Sequence, residues 1–217
     1  MPPAKERQGD MIDIYYWLTD NGRKALQMIE ETGLPHRLIP VNLTKKEQFS
    51  PEFLKISPGH KIPALVDHDG PGGIRVAIFE SGAILKYLAE KAGGALYPAA
   101  PAARAKVDQW FFYGTSTFTP LAQQYGLFTL RFPEDVPQAK KHYAEVVRDC
   151  FGVFDRHLAE NAYMGGGDFS IADISSYPDV HLHGKLGMGL KDYPNLERWH
   201  DSVAARPATQ RAWAVTG

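Results

Sequence analysis

Three short stretches of this 217-residue chain carry side chains whose chemistry goes beyond packing. Thr19-Asp20-Asn21-Gly22 follows an apolar run and sets a hydroxyl and a carboxamide at the start of a helical pattern. Neither group is a nucleophile, but both can donate a hydrogen bond to a charged atom brought by a ligand. Lys61-Ile62-Pro63 leads into a second apolar run. Proline donates no backbone hydrogen bond, so Pro63 belongs at the first residue of a strand or on an edge. A cis bond before it costs only about 0.5–1 kcal/mol over trans. Such a bend would turn the N–H and C=O of Ile62 outward, where an extended peptide pairs as an added strand. Glu80-Ser81 opens another helical pattern: Ser81 reads as its N-cap, and a helix N-terminus attracts anions. With the Glu80 charge alongside, this suits a ligand end bearing both a carboxylate and an ammonium.

Taken singly, each stretch has a plainer reading: a helix cap, an edge-strand proline, a solvated acid ahead of a cap. Local sequence favours the plainer reading in every case. The remaining candidates fall away. Cys150 lies between Val147 and Phe151 on the apolar stripe of a predicted helix, and the chain has no second cysteine for a Cys-x-x-Cys couple. It reads as a small buried hydrophobe. The eight histidines show no metal-ligand spacing supported by other ligands. His181 and His183, two apart on a predicted helix, face different directions, so no metal is expected. His60, His68 and Asp69 surround a turn and read as solvated.

The elements that must position these groups follow from periodicity. Strands are predicted over 11–17, 37–41, 62–66 and 74–79, with a helix over 23–32 that Gly33 closes, and a second helix from Ser81 carrying Ile84, Leu85 and Leu88. The Asp/Gly/Pro-dense stretch 67–73 reads as a hairpin turn. This is an α/β half with a βαβ unit and a terminal hairpin. Residues 93–101 read as a linker. Beyond them Val107, Trp110, Phe111, Gly114, Phe118 and Leu121 keep helical spacing, as do Tyr143, Val146, Val147, Cys150, Phe151, Phe154 and Leu158. Ser170 and Asp173 have capping-box spacing and start a helix to about His183; shorter helices are predicted over 194–205 and 208–215. The expected organisation is a flexible tail over 1–10, an α/β domain over 11–92, the linker, and an all-helical domain over 102–217.

A net charge of −1 argues against nucleic-acid and membrane-surface roles, and no apolar run approaches the roughly 20 residues needed to span a bilayer. The charged first ten residues lack the apolar core of a signal peptide. A single cysteine excludes an intrachain disulfide and fits a cytoplasmic location.

Taken together, KIPAL, a turn, then FESGAILKYLAEK resembles the glutathione-binding half of the glutathione transferase superfamily. IDIYYWLTDNGRKALQMIEETGL and QFSPEFLKISPGHKIPALVDH are most similar to its bacterial Nu class. The resemblance runs from about Met11 to Pro207. It implies a thioredoxin-like N-terminal domain plus an all-α C-terminal domain, and glutathione as cosubstrate. It also implies a cis Ile62-Pro63 bond, the Ile62 backbone pairing with the cysteinyl unit, and Glu80 and Ser81 holding the γ-glutamyl end. Lys61 matches its family position, and Gln48 falls where the glycyl carboxylate end is reached. Thr19 and Asn21 take the reactive turn. Lowering a thiol pKa of about 8.5 by two requires roughly 2.7 kcal/mol. One or two hydrogen bonds to the charged sulfur, at about 1.5–3 kcal/mol each, with a helix-dipole contribution, supply that.

The activity so implied is glutathione-dependent disulfide reduction, with peroxidase chemistry beside it. The alternatives are conjugation of small electrophiles and a non-catalytic binding role in the same fold. Tyr113, Phe118, Gln124 and Tyr125 fall where the family builds its acceptor pocket. The chain departs at one place: ahead of Tyr143, where an arginine is expected to face a second glutathione, stand Lys141 and His142. The resemblance also implies a homodimer.

Overall fold

A computed structural model describes residues 11–182 and 186–216. The tail expected over 1–10 and the helix end expected at His183 lie outside them. Among the described residues the chain divides into two compact units, Met1–Ala92 with Ala208–Gly217, and Gly93–Pro207.

The first unit contains β1 (Ile12–Tyr16), α1 (Asp20–Thr32), β2 (His36–Pro40), α2 (Pro51–Leu54), β3 (Ala64–Asp67), β4 (Val76–Phe79) and α3 (Ser81–Lys91). Its mixed sheet has the order β2-β1-β3-β4; β1 and β2 are parallel, and the other pairs are antiparallel. Ile12, Ile14, Leu65 and Val66 are buried in it, and Ala25, Leu26, Met28 and Ile29 of α1 with Ile84, Leu85 and Leu88 of α3 complete the core. Gly33, at φ 65°, ends α1 in the left-handed region that favours glycine.

Two boundaries differ from the periodicity in ways that matter for chemistry. α1 starts at Asp20, three residues earlier than predicted, because Thr19 caps it; Asn21 and Gly22 are therefore the first turn of a helix and not a free turn. β3 starts at Ala64, so Ile62 and Pro63 stand just ahead of the ladder, as the missing proline N–H requires.

The second unit contains α4 (Pro101–Phe112), α5 (Thr119–Gly126), α6 (Pro137–Leu158), α7 (Ile171–His181) and α8 (Pro194–Ala204). The single long helix predicted through Val107 to Leu121 is interrupted: π-helical turns occupy Tyr113–Phe118 and Leu127–Arg131. Gly114 lies in the first, where a Cβ would stand 2.5 Å from the hydroxyls of Ser175 and Ser176. The capping box of α7 is formed. Asp173 receives the backbone N–H groups of Met164 and Ser170 and the indole N–H of Trp199, each at 2.8 Å.

The last helix is α9 (Pro207–Ala214), and from Ala208 it groups with the first compact unit. Arg23, Gln27 and Glu30 lie at helical spacing along α1. Arg23 donates to the carbonyls of Ala212 and Val215, Gln27 Nε2 to Thr209 Oγ1 at 2.8 Å, and Arg211 Nε to Glu30 Oε2 at 2.6 Å. Tyr16 Oη adds a bond to the Thr216 carbonyl at 3.0 Å. These partners are nearly two hundred residues apart, beyond the reach of local pattern.

Candidate active site

The register of the sheet gathers the three sequence stretches at one end of it. Tyr15 of β1 lies opposite Ala64 of β3, and Ala64 lies opposite Phe79 of β4. The residues that leave β1 (Trp17 to Thr19), enter β3 (Ile62, Pro63) and leave β4 (Glu80, Ser81) therefore share one edge. The parallel pairing of Tyr16 with Pro40 brings the exit of β2 to the same end. Ligands of open α/β sheets bind at strand ends of this kind.

At the turn between β1 and α1, Thr19 has extended backbone (φ −116°, ψ 167°), and its Oγ1 accepts the N–H of Gly22 at 3.2 Å. That bond uses an oxygen lone pair and leaves the hydroxyl proton to donate elsewhere. The Thr19 N–H donates to the Trp17 carbonyl at 2.8 Å, which tightens the turn. Asn21 Oδ1 is buried without a hydrogen-bond partner among the described residues. Turning that amide over presents N–H donors at the same place. A hydroxyl, a carboxamide and the N-terminal dipole of α1 thus converge where an anion is favoured.

The Ile62-Pro63 peptide bond is cis. Ile62 packs into an apolar cluster with Val41, Phe53 and Trp17. Among the described residues its N–H and C=O join no turn, loop or cap hydrogen bond. Ser57, itself buried, donates from Oγ to the Lys61 carbonyl at 2.8 Å and so holds the approach to the bend, while the Lys61 side chain stays exposed. Gln48, in the short turn Glu47–Phe49, has a buried Oε1 without a partner among the described residues.

At the start of α3 the structure corrects the expected cap. Glu80, not Ser81, is the N-cap residue, and no side chain caps the helix. Glu80 has φ 74° and ψ 119°, a region that costs a non-glycine residue on the order of 1–3 kcal/mol. It leaves Ser81 as the first helical residue, with Glu80 exposed beside an uncapped N-terminus.

The predicted acceptor residues are placed differently in the second unit. Tyr125 is buried and donates to the Leu186 carbonyl at 2.7 Å, so its hydroxyl serves the interior. Tyr113 packs edge-on against Trp110 and Phe154. Burial raises the pKa of its phenol, and a hydrogen bond with Cys150 adds to this. Phe118 is fully buried. Gln124, Lys141 and His142 are exposed; Lys141 lies 4.0 Å from Glu145, and the His142 ring meets Tyr143 edge-on. Cys150 is a buried free thiol, and its burial pushes its pKa up. His68, read as solvated, instead meets Asp13 Oδ2 at 2.9 Å.

Residues 21–91 match the description "Glutathione S-transferase, N-terminal domain", and residues 118–207 match "Glutathione S-transferase, C-terminal domain". The chain is 40% identical to disulfide-bond oxidoreductase YfcG of Escherichia coli strain K12, over 93% of this chain and 94% of that one. It belongs to the glutathione S-transferase family.

Solved structures agree. A glutathione transferase family member from Pseudomonas fluorescens pf-5, with two glutathione bound, superposes with a TM-score of 0.90 at 33% identity, covering 99% of this chain and 96% of that one. A glutathione transferase from Pseudomonas putida, with one glutathione disulfide bound per subunit, gives 0.89 at 33% identity over 99% and 95%. The mixed sheet with its helices is thus the glutathione S-transferase N-terminal domain, and the helical unit is its C-terminal domain. In this member the sequence reading missed two positioning residues. Gly22 sits where a Cβ would lie 2.0 Å from the Trp17 carbonyl oxygen, and Ser57 secures Lys61. A glycine three residues after the cap was the available signal for the first; Ser57 had none. Among the described residues no group of three His, Cys, Asp or Glu side chains is placed to hold a metal ion, and no helix is long and apolar enough to cross a membrane.

Proposed function

We propose that this protein is a Nu-class-like, glutathione-dependent disulfide-bond oxidoreductase whose reactive sulfur is that of bound glutathione. The observation that carries this is the reactive turn. Thr19 keeps a hydroxyl proton to give; the Asn21 carboxamide, whose buried Oδ1 has no partner among the described residues, gives N–H donors at that place when turned over; and both stand at the N-terminus of α1. Each stabilises a thiolate more than a thiol.

In this reading the Ile62 backbone pairs with the cysteinyl unit, and Glu80 and Ser81 receive the γ-glutamyl end. Gln48 and Lys61 take the remaining carboxylate. The thiolate attacks one sulfur of the substrate disulfide; a sulfur–sulfur bond forms to glutathione and the other substrate sulfur leaves as thiolate. A second glutathione thiolate attacks the mixed disulfide and releases the remaining substrate thiol. Two glutathiones are oxidised to one glutathione disulfide, and one substrate disulfide is reduced to two thiols. Lys141 and His142, exposed on α6, stand where an arginine was expected, which weakens the case for tight binding of oxidised glutathione. The reading includes a cytoplasmic location, where glutathione is reduced, and a homodimer. Phe49, Ile74 and Phe79 leave the first unit with exposed apolar surface that a second copy would cover.

The test compares glutathione-dependent reduction of hydroxyethyl disulfide with conjugation of chlorodinitrobenzene. Faster disulfide reduction, retained in Cys150→Ala, is expected. Conjugation as the dominant activity, or loss of turnover in Cys150→Ala with the fold intact, would overturn the reading.

A further inference from the structure

The turn that carries Thr19 and Asn21 is shaped by local bonds. The Thr19 N–H reaches the Trp17 carbonyl at 2.8 Å, the Gly22 N–H reaches Thr19 Oγ1 at 3.2 Å, and the Arg23 N–H reaches the Thr19 carbonyl at 2.8 Å. Bonds of this kind shape a turn but do not place it; its place is set by what holds its flanks. The flanks are Tyr16, the last residue of β1, and Arg23, in the first turn of α1.

Both flanks are tied to one short segment, residues 212–216. The Tyr16 side chain is buried, and its hydroxyl donates to the Thr216 carbonyl at 3.0 Å. The Arg23 guanidinium donates from one nitrogen to the carbonyls of Ala212 and Val215, the latter at 3.2 Å. It also lies 5.5 Å from the Trp213 ring centroid. Residues 208–217 belong to the first compact unit, so these ties stay inside the unit that carries the turn. The last carbonyls of a helix have no partner within it, and a helix C-terminus favours a cation. Arg23 brings both a donor and a charge to the end of α9. All three acceptors are main-chain carbonyls, so the ties depend on where residues 212–216 run and not on their side chains.

We infer that residues 212–216 form a strap that sets the position of the reactive turn, with Tyr16 and Arg23 as positioning residues for the thiolate chemistry. Each acts through the backbone: Arg23 holds the Thr19 carbonyl, and Tyr16 leads directly into Trp17, whose carbonyl receives the Thr19 N–H. The consequence for the reaction rests on the disulfide reading above; the strap itself does not.

The test examines the turn first, in the full chain without ligand. Hydrogen–deuterium exchange over residues 17–22 is compared by mass spectrometry in native protein, Tyr16→Phe and Arg23→Ala. Loss of a neutral hydrogen bond should speed exchange about 5-fold in Tyr16→Phe, and loss of a charged donor about 10- to 30-fold in Arg23→Ala. Arg23→Lys keeps a charged donor and should fall between native protein and Arg23→Ala. The thiol of bound glutathione is then titrated by ultraviolet absorbance. In the double variant Tyr16→Phe/Arg23→Ala it should titrate about one pH unit higher, as one donor to the sulfur moves out of reach. Arg211→Gln cuts an exposed bond to Glu30, at the other end of α1, and should change neither result. Exchange over 17–22 that is equal in native protein and both variants, or quickened as much by Arg211→Gln, would overturn the strap. Quickened exchange with an unchanged bound thiol would overturn its role in the reaction. A native bound thiol that titrates like the free one contradicts the disulfide reading instead, and the exchange result then decides the strap alone.

Discussion

A Cβ placed on Gly22 would lie 2.0 Å from the carbonyl oxygen of Trp17 and 3.3 Å from Thr19 Oγ1. The exit of β1 and the first turn of α1 are therefore in backbone contact, and the geometry of Thr19 depends on that approach. Gly22→Ala must push the helix start away from the strand. Overpacking of this kind costs about 1–3 kcal/mol. A displacement of about 1 Å at a reacting centre lowers turnover about 100-fold. Circular dichroism should show a retained fold while disulfide reduction falls by about that factor. Native-like turnover would mean that the turn does not position the reacting sulfur.

Arg23 holds the other side of the same helix. Its guanidinium donates to the carbonyls of Ala212 and Val215 and lies 5.5 Å from the Trp213 ring centroid. Burial lowers its pKa, but an arginine stays charged at any physiological pH. Removing the charged donor should cost about 2 kcal/mol, or about 4–8 °C in a chain of this size. Arg23→Ala should therefore melt lower and expose the final residues to carboxypeptidase. An unchanged melting temperature would show that the α9 segment contributes no stability through this contact.

Asp67 offers a test by pH. It is fully buried, with Tyr87 Oη at 2.5 Å, Lys91 Nζ at 2.7 Å and the Asp69 N–H at 2.9 Å. Burial alone would raise its pKa, but those donors outweigh it and hold the carboxyl below its ordinary 3.8. With the folded pKa below the unfolded one, the unfolded state takes up the proton first as pH falls. The stabilisation is complete above about pH 4 and is lost as pH drops through the folded value. Asp67→Asn should be less stable at pH 7 by about 1–3 kcal/mol, and urea midpoints should bring the two proteins together below pH 4. A gap that stays constant to pH 3 would contradict this.

Much of this arrangement was legible because it depends on single residues with few conformational options. Pro63 cannot enter the ladder, Gly33 accepts φ 65°, and Ser170 with Asp173 forms the box that their spacing predicts. The failures share a cause in long-range packing. Ser81 is a good cap by type, yet Glu80, directly after the end of β4 at Phe79, occupies the cap at φ 74°. Tyr125 has the spacing of either a pocket or a core residue, and its partner Leu186 lies 61 residues away. The π-turn at Gly114 answers to Ser175 and Ser176 on another helix. The return of α9 to the first unit rests on pairs such as Gln27 and Thr209, which no local window contains.

The account turns on whether this polypeptide stabilises a thiolate that it does not itself supply. Ultraviolet titration of glutathione bound to the protein measures that directly, through the absorbance of the thiolate. The bound thiol should titrate near pH 6.5, against about 8.5 for a free thiol, and Thr19→Val with Asn21→Ala should return it most of the way. A bound thiol that titrates like the free one, or a lowered value that survives both substitutions, would contradict the account.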